Sequence, residues 1–231
     1  MRTLLRLAAL LASAALVAPA LAQQVGRAAP RATAAEPGWY IGAGIGNSKI
    51  PENWSDSSLP VAGATASSLQ STRSSALGRA FVGFRVNPNF ALELGYIDLG
   101  RFGLQRDVTA PTAGNESFKW TVRSTALDAL LIWPVANSVD LFGRLGVAYV
   151  ATKSQFTASG LGLASNFSSD ERSHKYALHY GLGAQYQLTR SLGLRADWEL
   201  FKKASNSNAV AWADGRELQY QSVSASAIWK F

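Results

Sequence analysis

No cysteine occurs anywhere in the 231 residues. That excludes a disulfide framework, thiolate metal sites and a lipid-bearing cysteine at a processed N-terminus. Charge is also scarce: Asp, Glu, Lys and Arg make up 16% of the chain, against about 25% in average soluble proteins. The shortfall points to a surface that does not meet water. Beyond residue 22 no stretch reaches the roughly 18 apolar residues of a spanning helix. A chain entering a bilayer without such helices must do so as a closed barrel, because only helices and closed barrels satisfy every backbone polar group in lipid. Basic clusters with interleaved aromatics are missing too, so no nucleic-acid partner is expected.

What is present begins with a targeting segment. Arg2 and Arg6 make a positive start, Leu4 to Val17 is an apolar, alanine-rich stretch, and Ala20-Leu21-Ala22 forms a small-x-small site ahead of Gln23. Residues 1–22 therefore read as a cleaved secretory signal peptide rather than an anchor helix, for which the run is too short. Removing its two arginines takes the formal charge from +7 to 7 − 2 = +5, a balance that suits anionic lipid headgroups. Residues 23–37, with Pro30 and Pro37, read as a flexible leader.

From Gly38 to Phe231 the pattern is period-two alternation, the signature of strands. It predicts eight segments, roughly 38–48, 76–87, 90–102, 117–134, 139–155, 172–188, 192–203 and 217–231. Hairpin-length turns at 87–89, 135–138 and 189–191 alternate with longer polar connections at 49–75, 103–116, 156–171 and 204–216. Short turns on one side and long loops on the other is the plan of an outer-membrane barrel.

One face of these segments is uncharged. It carries Trp39, Ile41, Leu92, Leu94, Leu127, Leu145, Leu182, Leu194, Val223 and their period-two neighbours. A charge facing lipid at mid-depth costs about 2–4 kcal/mol, which explains the exclusion. Trp39, Phe90, Trp133, Tyr186, Trp229 and Phe231 fall near the short-turn ends, where an aromatic girdle is expected, and Tyr96, Tyr149, Tyr180 and Trp198 are candidates for the outer ring. The opposite face is rich in glycine and serine and bears Arg79, Arg85, Glu93, Asp128, Arg144, Arg195, Asp197, Glu199 and Lys230. A lipocalin-like barrel would bury the apolar face instead, but the polar face is too rich in glycine and too poor in lysine for a soluble surface. The fold expected is an all-β, closed, eight-stranded, antiparallel up-and-down transmembrane β-barrel.

Several fragments resemble one family in order. Phe81 to Arg101, F-V-G-F-R-V-N-P-N-F-A-L-E-L-G-Y-I-D-L-G-R, is similar to the second and third strands of the outer membrane protein A transmembrane domain. Leu141 to Gly146, L-F-G-R-L-G, resembles its fifth strand, and Gly183 to Leu200 its turn between strands six and seven. Ile228-Trp229-Lys230-Phe231 resembles the C-terminal signal, centred on Trp229 and Phe231, that the barrel-assembly machinery reads. The resemblance implies an outer-membrane location, periplasmic chaperones and the assembly machinery as partners in biogenesis, and lipopolysaccharide as neighbour. Longer members carry a peptidoglycan-binding domain, and this chain ends with the eighth strand, so no cell-wall tether is expected. The family's exchanging ion pair is half present: Glu93 and Arg195 match, while its lysine position holds Leu130 and another carboxylate position holds Gln185.

Eight strands enclose a space that side chains just fill. Tyr40, Phe81 and Phe142 are expected inside, and the inward charges must pair, because stranding a buried charge costs several kcal/mol. Glu93 is expected to pair with Arg195, with Arg79 or Arg144 as second partner. Enzymatic sites need a nucleophile beside a base, and only His174 and His179 are available; Ser173-His174-Lys175 lacks the His-x-Ser arrangement of lipid A deacylases, and His179 reads as structural. The chain is expected to be a non-enzyme without cofactor or metal. Its expected role is a monomeric structural and surface-interaction barrel with Lys119, Arg123, Lys153 and Lys202 near lipopolysaccharide phosphates. The alternatives are a narrow channel or carrier for small solutes, an adhesion or serum-resistance protein by family analogy, and, less favoured, a lipid A-modifying enzyme.

Overall fold

The computed structural model describes residues 37–51, 66–110, 112–161, 166–205 and 218–231; the expected signal peptide, and the leader apart from Pro37, lie outside them. Alternation of small or polar with bulky apolar residues produces nine strands: β1 (Gly38–Lys49), β2 (Ala66–Thr72), β3 (Ser74–Asn87), β4 (Phe90–Ala110), β5 (Gly114–Ala136), β6 (Val139–Gly160), β7 (Phe167–Gln187), β8 (Leu192–Ser205) and β9 (Leu218–Lys230). All pairings are antiparallel, and β2 continues β3 beyond Arg73 to pair with the upper part of β4. The order is β4-β3-β1-β9-β8-β7-β6-β5, and β5 also pairs with β4. Each of these eight strands thus has two hydrogen-bonded neighbours.

The register sets the geometry. Stepping across paired residues from Trp39 leads through Phe84, Leu92, Ala129, Leu145, Tyr180, Leu200 and Gln221 to Lys49. One circuit of the strands advances 49 − 39 = 10 residues along β1. At about 3.3 Å per residue and about 4.8 Å between strands, that stagger over eight strands tilts them by about 40°. Each residue then raises a position by about 2.5 Å along the axis of winding, and each strand crossed by about 3 Å.

The alternation read from the sequence is the alternation of burial. Trp39, Ile41, Leu92, Leu127, Leu145, Leu182, Leu194 and Val223 are exposed on the outside, and their neighbours in sequence are buried or half-buried. The inward face is rich in glycine because bulky rings lie across it: a Cβ at Gly42, Gly83 or Gly183 would strike the ring of Phe81, Tyr40 or Phe142.

Three of the expected loops are corrected. Most of 103–116 is strand, since β4 runs to Ala110 and β5 starts at Gly114; most of 156–171 belongs to β6 and β7; and 66–72 of the first loop forms β2. The fourth expected loop falls largely outside the described residues. A bulge turns 103–110 over relative to the part of the strand before it. Asp98 pairs with Arg123 but Gly100 with Val122, so β4 holds one extra residue there. Before the bulge, Glu93, Ile97 and Leu99 point inward; after it, Phe102, Leu104, Arg106 and Val108 do. Gly100 sits at φ 89°, and a Cβ there would also meet Ser75.

Candidate functional site

The inward face is stacked in layers. At the short-turn mouth Arg85 donates to Asp140 at 2.9 Å and to the Pro88 carbonyl at 2.6 Å, and Lys230 donates to Gln187. Above lies a cluster of Tyr40, Phe81, Leu130, Ile132, Phe142 and Ile228. The Arg195 guanidinium lies over three of these rings, 5.7, 4.8 and 4.7 Å from the centres of Tyr40, Phe81 and Phe142, a cation–π setting.

Arg195 is the floor of an ionic layer. It contacts Glu93 at 2.6 Å. Glu93 also lies 3.1 Å from Arg144 and 3.7 Å from Arg79, and accepts from the Tyr40 hydroxyl at 3.1 Å. Arg144 reaches Asp128 (3.3 Å), Asp197 (2.8 Å) and Glu199 (2.6 Å). Arg79 reaches Asp197 at 3.3 Å and Glu199 at 3.0 Å. Three guanidiniums thus face four carboxylates, all with side chains no more than 2% exposed. His179 completes the layer, its Nδ1 2.7 Å from Asp128 and its ring stacked on Phe201 at 4.3 Å.

The structure therefore brings together seven of the nine inward charges singled out from the sequence. Arg85 and Lys230 point inward as expected but sit at the mouth, by register about 6 Å or more below Arg195. Their separation is a correction, because parity fixes the face of a residue and not its height. Asp140, the partner of Arg85, escaped the sequence reading although it shares the inward parity of Phe142 and Arg144.

A second apolar cluster caps the ionic layer. Ile97, Leu99, Phe102, Leu104, Phe118, Trp120, Val122, Phe201 and Tyr220 belong to it. Phe102 stacks on Trp120 at 6.0 Å, and the Trp120 indole donates to the Tyr220 hydroxyl at 3.3 Å. Of the cap residues named, Leu104 falls in a stretch expected to be loop. Just above it Arg106 lies 3.8 Å from Glu116, whose carboxyl is pushed up by burial against the pull of that guanidinium.

The outside is banded. Corrected for the stagger, Trp39, Phe90, Trp133, Tyr186, Trp229 and Phe231 lie within about 5 Å of one height. Above them no outward charge occurs among the described residues for about 20 Å, until Asp98, Lys202 and Arg123. Tyr149 and Tyr176, ring centres 5.4 Å apart, sit about 22–26 Å above the lower aromatics. Tyr96, Tyr180 and Trp198 fall inside the band at about 14–16 Å, and Tyr176 takes the outer position that the sequence reading did not give it. Lys119, Arg123, Lys153 and Lys202 all point outward near or above the band's upper edge.

Comparison with known proteins follows the same lines. The family model of the OmpA-like transmembrane domain matches residues 34–231. Outer membrane protein A of Klebsiella pneumoniae is 27% identical over 142 residues, 60% of this chain and 38% of that protein. Outer membrane protein P5 of Haemophilus influenzae is 26% identical over 199 residues, 81% of this chain and 50% of that one. The chain spans about a third to a half of the length of the curated relatives it matches. Among solved structures, the outer membrane protein OprG from Pseudomonas aeruginosa superposes with a TM-score of 0.50 at 19% identity, covering 84% of this chain and 96% of that one.

Proposed function

Because this chain belongs to the OmpA-like transmembrane domain family and is an outer-membrane β-barrel of that type, we propose that it is a closed, plugged barrel whose role is structural and interfacial. Closure is supported by the register, which returns to β1 after eight strands with a stagger of ten residues, a combination within the tilt range of barrels. The uncharged outer band, about 20 Å tall between aromatic rows, matches the lipid-facing belt of such proteins. Residues 1–22 would be removed on export, with 38–231 as the barrel.

The observation that carries the plugged reading is the sandwich inside: an ionic layer buried between two apolar clusters. An ion crossing it would have to part charge pairs in a low-dielectric space and displace Phe102 and Trp120. The reading is non-enzymatic. His179 is buried against Asp128, with no hydrogen-bond partner for its Nε2 among the described residues, and His174 lies outside, stacked on Tyr149. The barrel would act as a monomer among lipopolysaccharide molecules, delivered by periplasmic chaperones and inserted by the assembly machinery through Trp229 and Phe231.

Planar-bilayer recording tests this. The refolded chain is expected to insert without steady ion conductance. Steady single-channel conductance from the unmutated chain would overturn the plugged barrel in favour of a narrow channel.

A further inference from the structure

The outer surface above the uncharged band is not uniform. On β4 to β7 it carries Arg101, Lys119, Arg123, Lys153, Arg172 and His174, which line one groove of about 1160 Å³. The register aligns them. Arg101 pairs with Thr121, Thr121 with Lys153, and Lys153 with Arg172. One row thus holds three cations across four adjacent strands, a span of about 14 Å. His174 pairs with Ala151 in the row below, and Lys119 pairs with Gly103 in the row above. The acidic residues described on the same face are Asp98, 3.3 Å from Arg123, Asp170, which pairs with Gln155 above Arg172, and Asp107, which pairs with Asn115 above Lys119 and accepts from its side chain. Five cations against three carboxylates, two of which lie above the row, leave the patch positive. Over the other half of the circumference, the outward cations described at comparable height are Lys49 and Lys202.

We propose that this groove on β4 to β7 is a binding site for the phosphate groups of outer-leaflet lipopolysaccharide, so that the barrel holds such a lipid on one side only. The proposal rests on the membrane reading above. Height selects the occupant. The cations begin about 24 Å above the lower aromatic girdle and end about 36 Å above it, whereas the apolar belt of such barrels is about 25 Å tall. The site therefore starts where acyl chains end and charged headgroups begin. Tyr149 and Tyr176 stand beneath it at the interface, and the His174 ring lies flat on Tyr149 at 5.4 Å with 6° between planes, turned toward the groove. Arginines suit phosphate through bidentate hydrogen bonding and lysines as point charges. Because the cations stand on rigid paired strands, little is lost in ordering the site.

The test compares binding of lipopolysaccharide, of its dephosphorylated form and of a heparin oligosaccharide to the refolded chain in zwitterionic phospholipid vesicles. The combined variant Arg101→Ser, Lys153→Ser and Arg172→Ser is expected to bind lipopolysaccharide at least tenfold more weakly. Dephosphorylation should cost the unmutated chain a similar factor, and Lys49→Ser with Lys202→Ser less than threefold. Folding is checked by the shift in gel mobility on boiling; if the combined variant does not fold, Arg172→Ser alone should lose about threefold. Unchanged affinity in the folded variants would overturn the site. Tighter binding of heparin than of lipopolysaccharide would overturn the lipid as occupant in favour of a soluble sulfated glycan. Failure of the unmutated chain to insert into vesicles would instead sink the membrane reading.

Discussion

Glu93 is the residue on which the ionic layer turns. Arg79, Arg144 and Arg195 come from three different strands to meet it, and Tyr40 from a fourth donates to it. The arginines differ in what else they hold. Arg79 and Arg144 each keep Asp197 and Glu199, whereas Glu93 is the one carboxylate within 4 Å of Arg195 among the described residues. Glu93→Gln should therefore strand a buried guanidinium and cost about 3–5 kcal/mol, the usual penalty for breaking such a pair. Asp197→Asn should cost clearly less, because both of its arginines retain other partners. Urea titration in lipid vesicles measures the two, and equal losses would contradict the assignment.

At the scale of the strand, the bulge at Leu99 and Gly100 decides what was legible. Up to Ile97 the alternation of β4 reads directly from the residues, as do the inward positions of Arg79, Glu93, Arg144, Arg195, Asp197 and Glu199. Across the bulge the parity flips, so Phe102, Leu104 and Val108 point inward although they share the sequence parity of the outward Leu94 and Tyr96, and with Gln105, Arg106 and Asp107 among them the segment reads as a polar loop. The grouping of charges was only partly legible for a related reason. Height depends on stagger, which is fixed by hydrogen bonds between strands distant in sequence, so Arg85 and Lys230 could be assigned a face but not a layer. The extended strands make their own prediction. Amides of 103–110 and 114–118, being paired, should exchange hydrogen as slowly as those of 91–97. Exchange as fast as in an open loop would show that the extension does not form.

The molecule as a whole is built from two opposite choices of environment. Among the described residues its inward face is filled by charge pairs and apolar and aromatic side chains, and its outward face is free of charge over about 20 Å of height. Leu127, Leu145, Leu182 and Leu131 stand 55–62% exposed on that surface, which is tenable only if hydrocarbon covers them. With Ile41, Val86, Leu92, Leu194 and Val223, also exposed, they reach every one of the eight strands of the ring, which argues against a single protein partner.

The absence of cysteine makes this directly measurable, since one introduced thiol gives one label. Spin labels placed singly at Leu127→Cys, Leu145→Cys and Leu182→Cys in the vesicle-embedded chain report collisions with oxygen, which concentrates in lipid, and with a water-soluble nickel chelate. At all three positions high oxygen and low nickel accessibility is predicted. Ready quenching by nickel at these leucines would place the uncharged band in water and contradict the account.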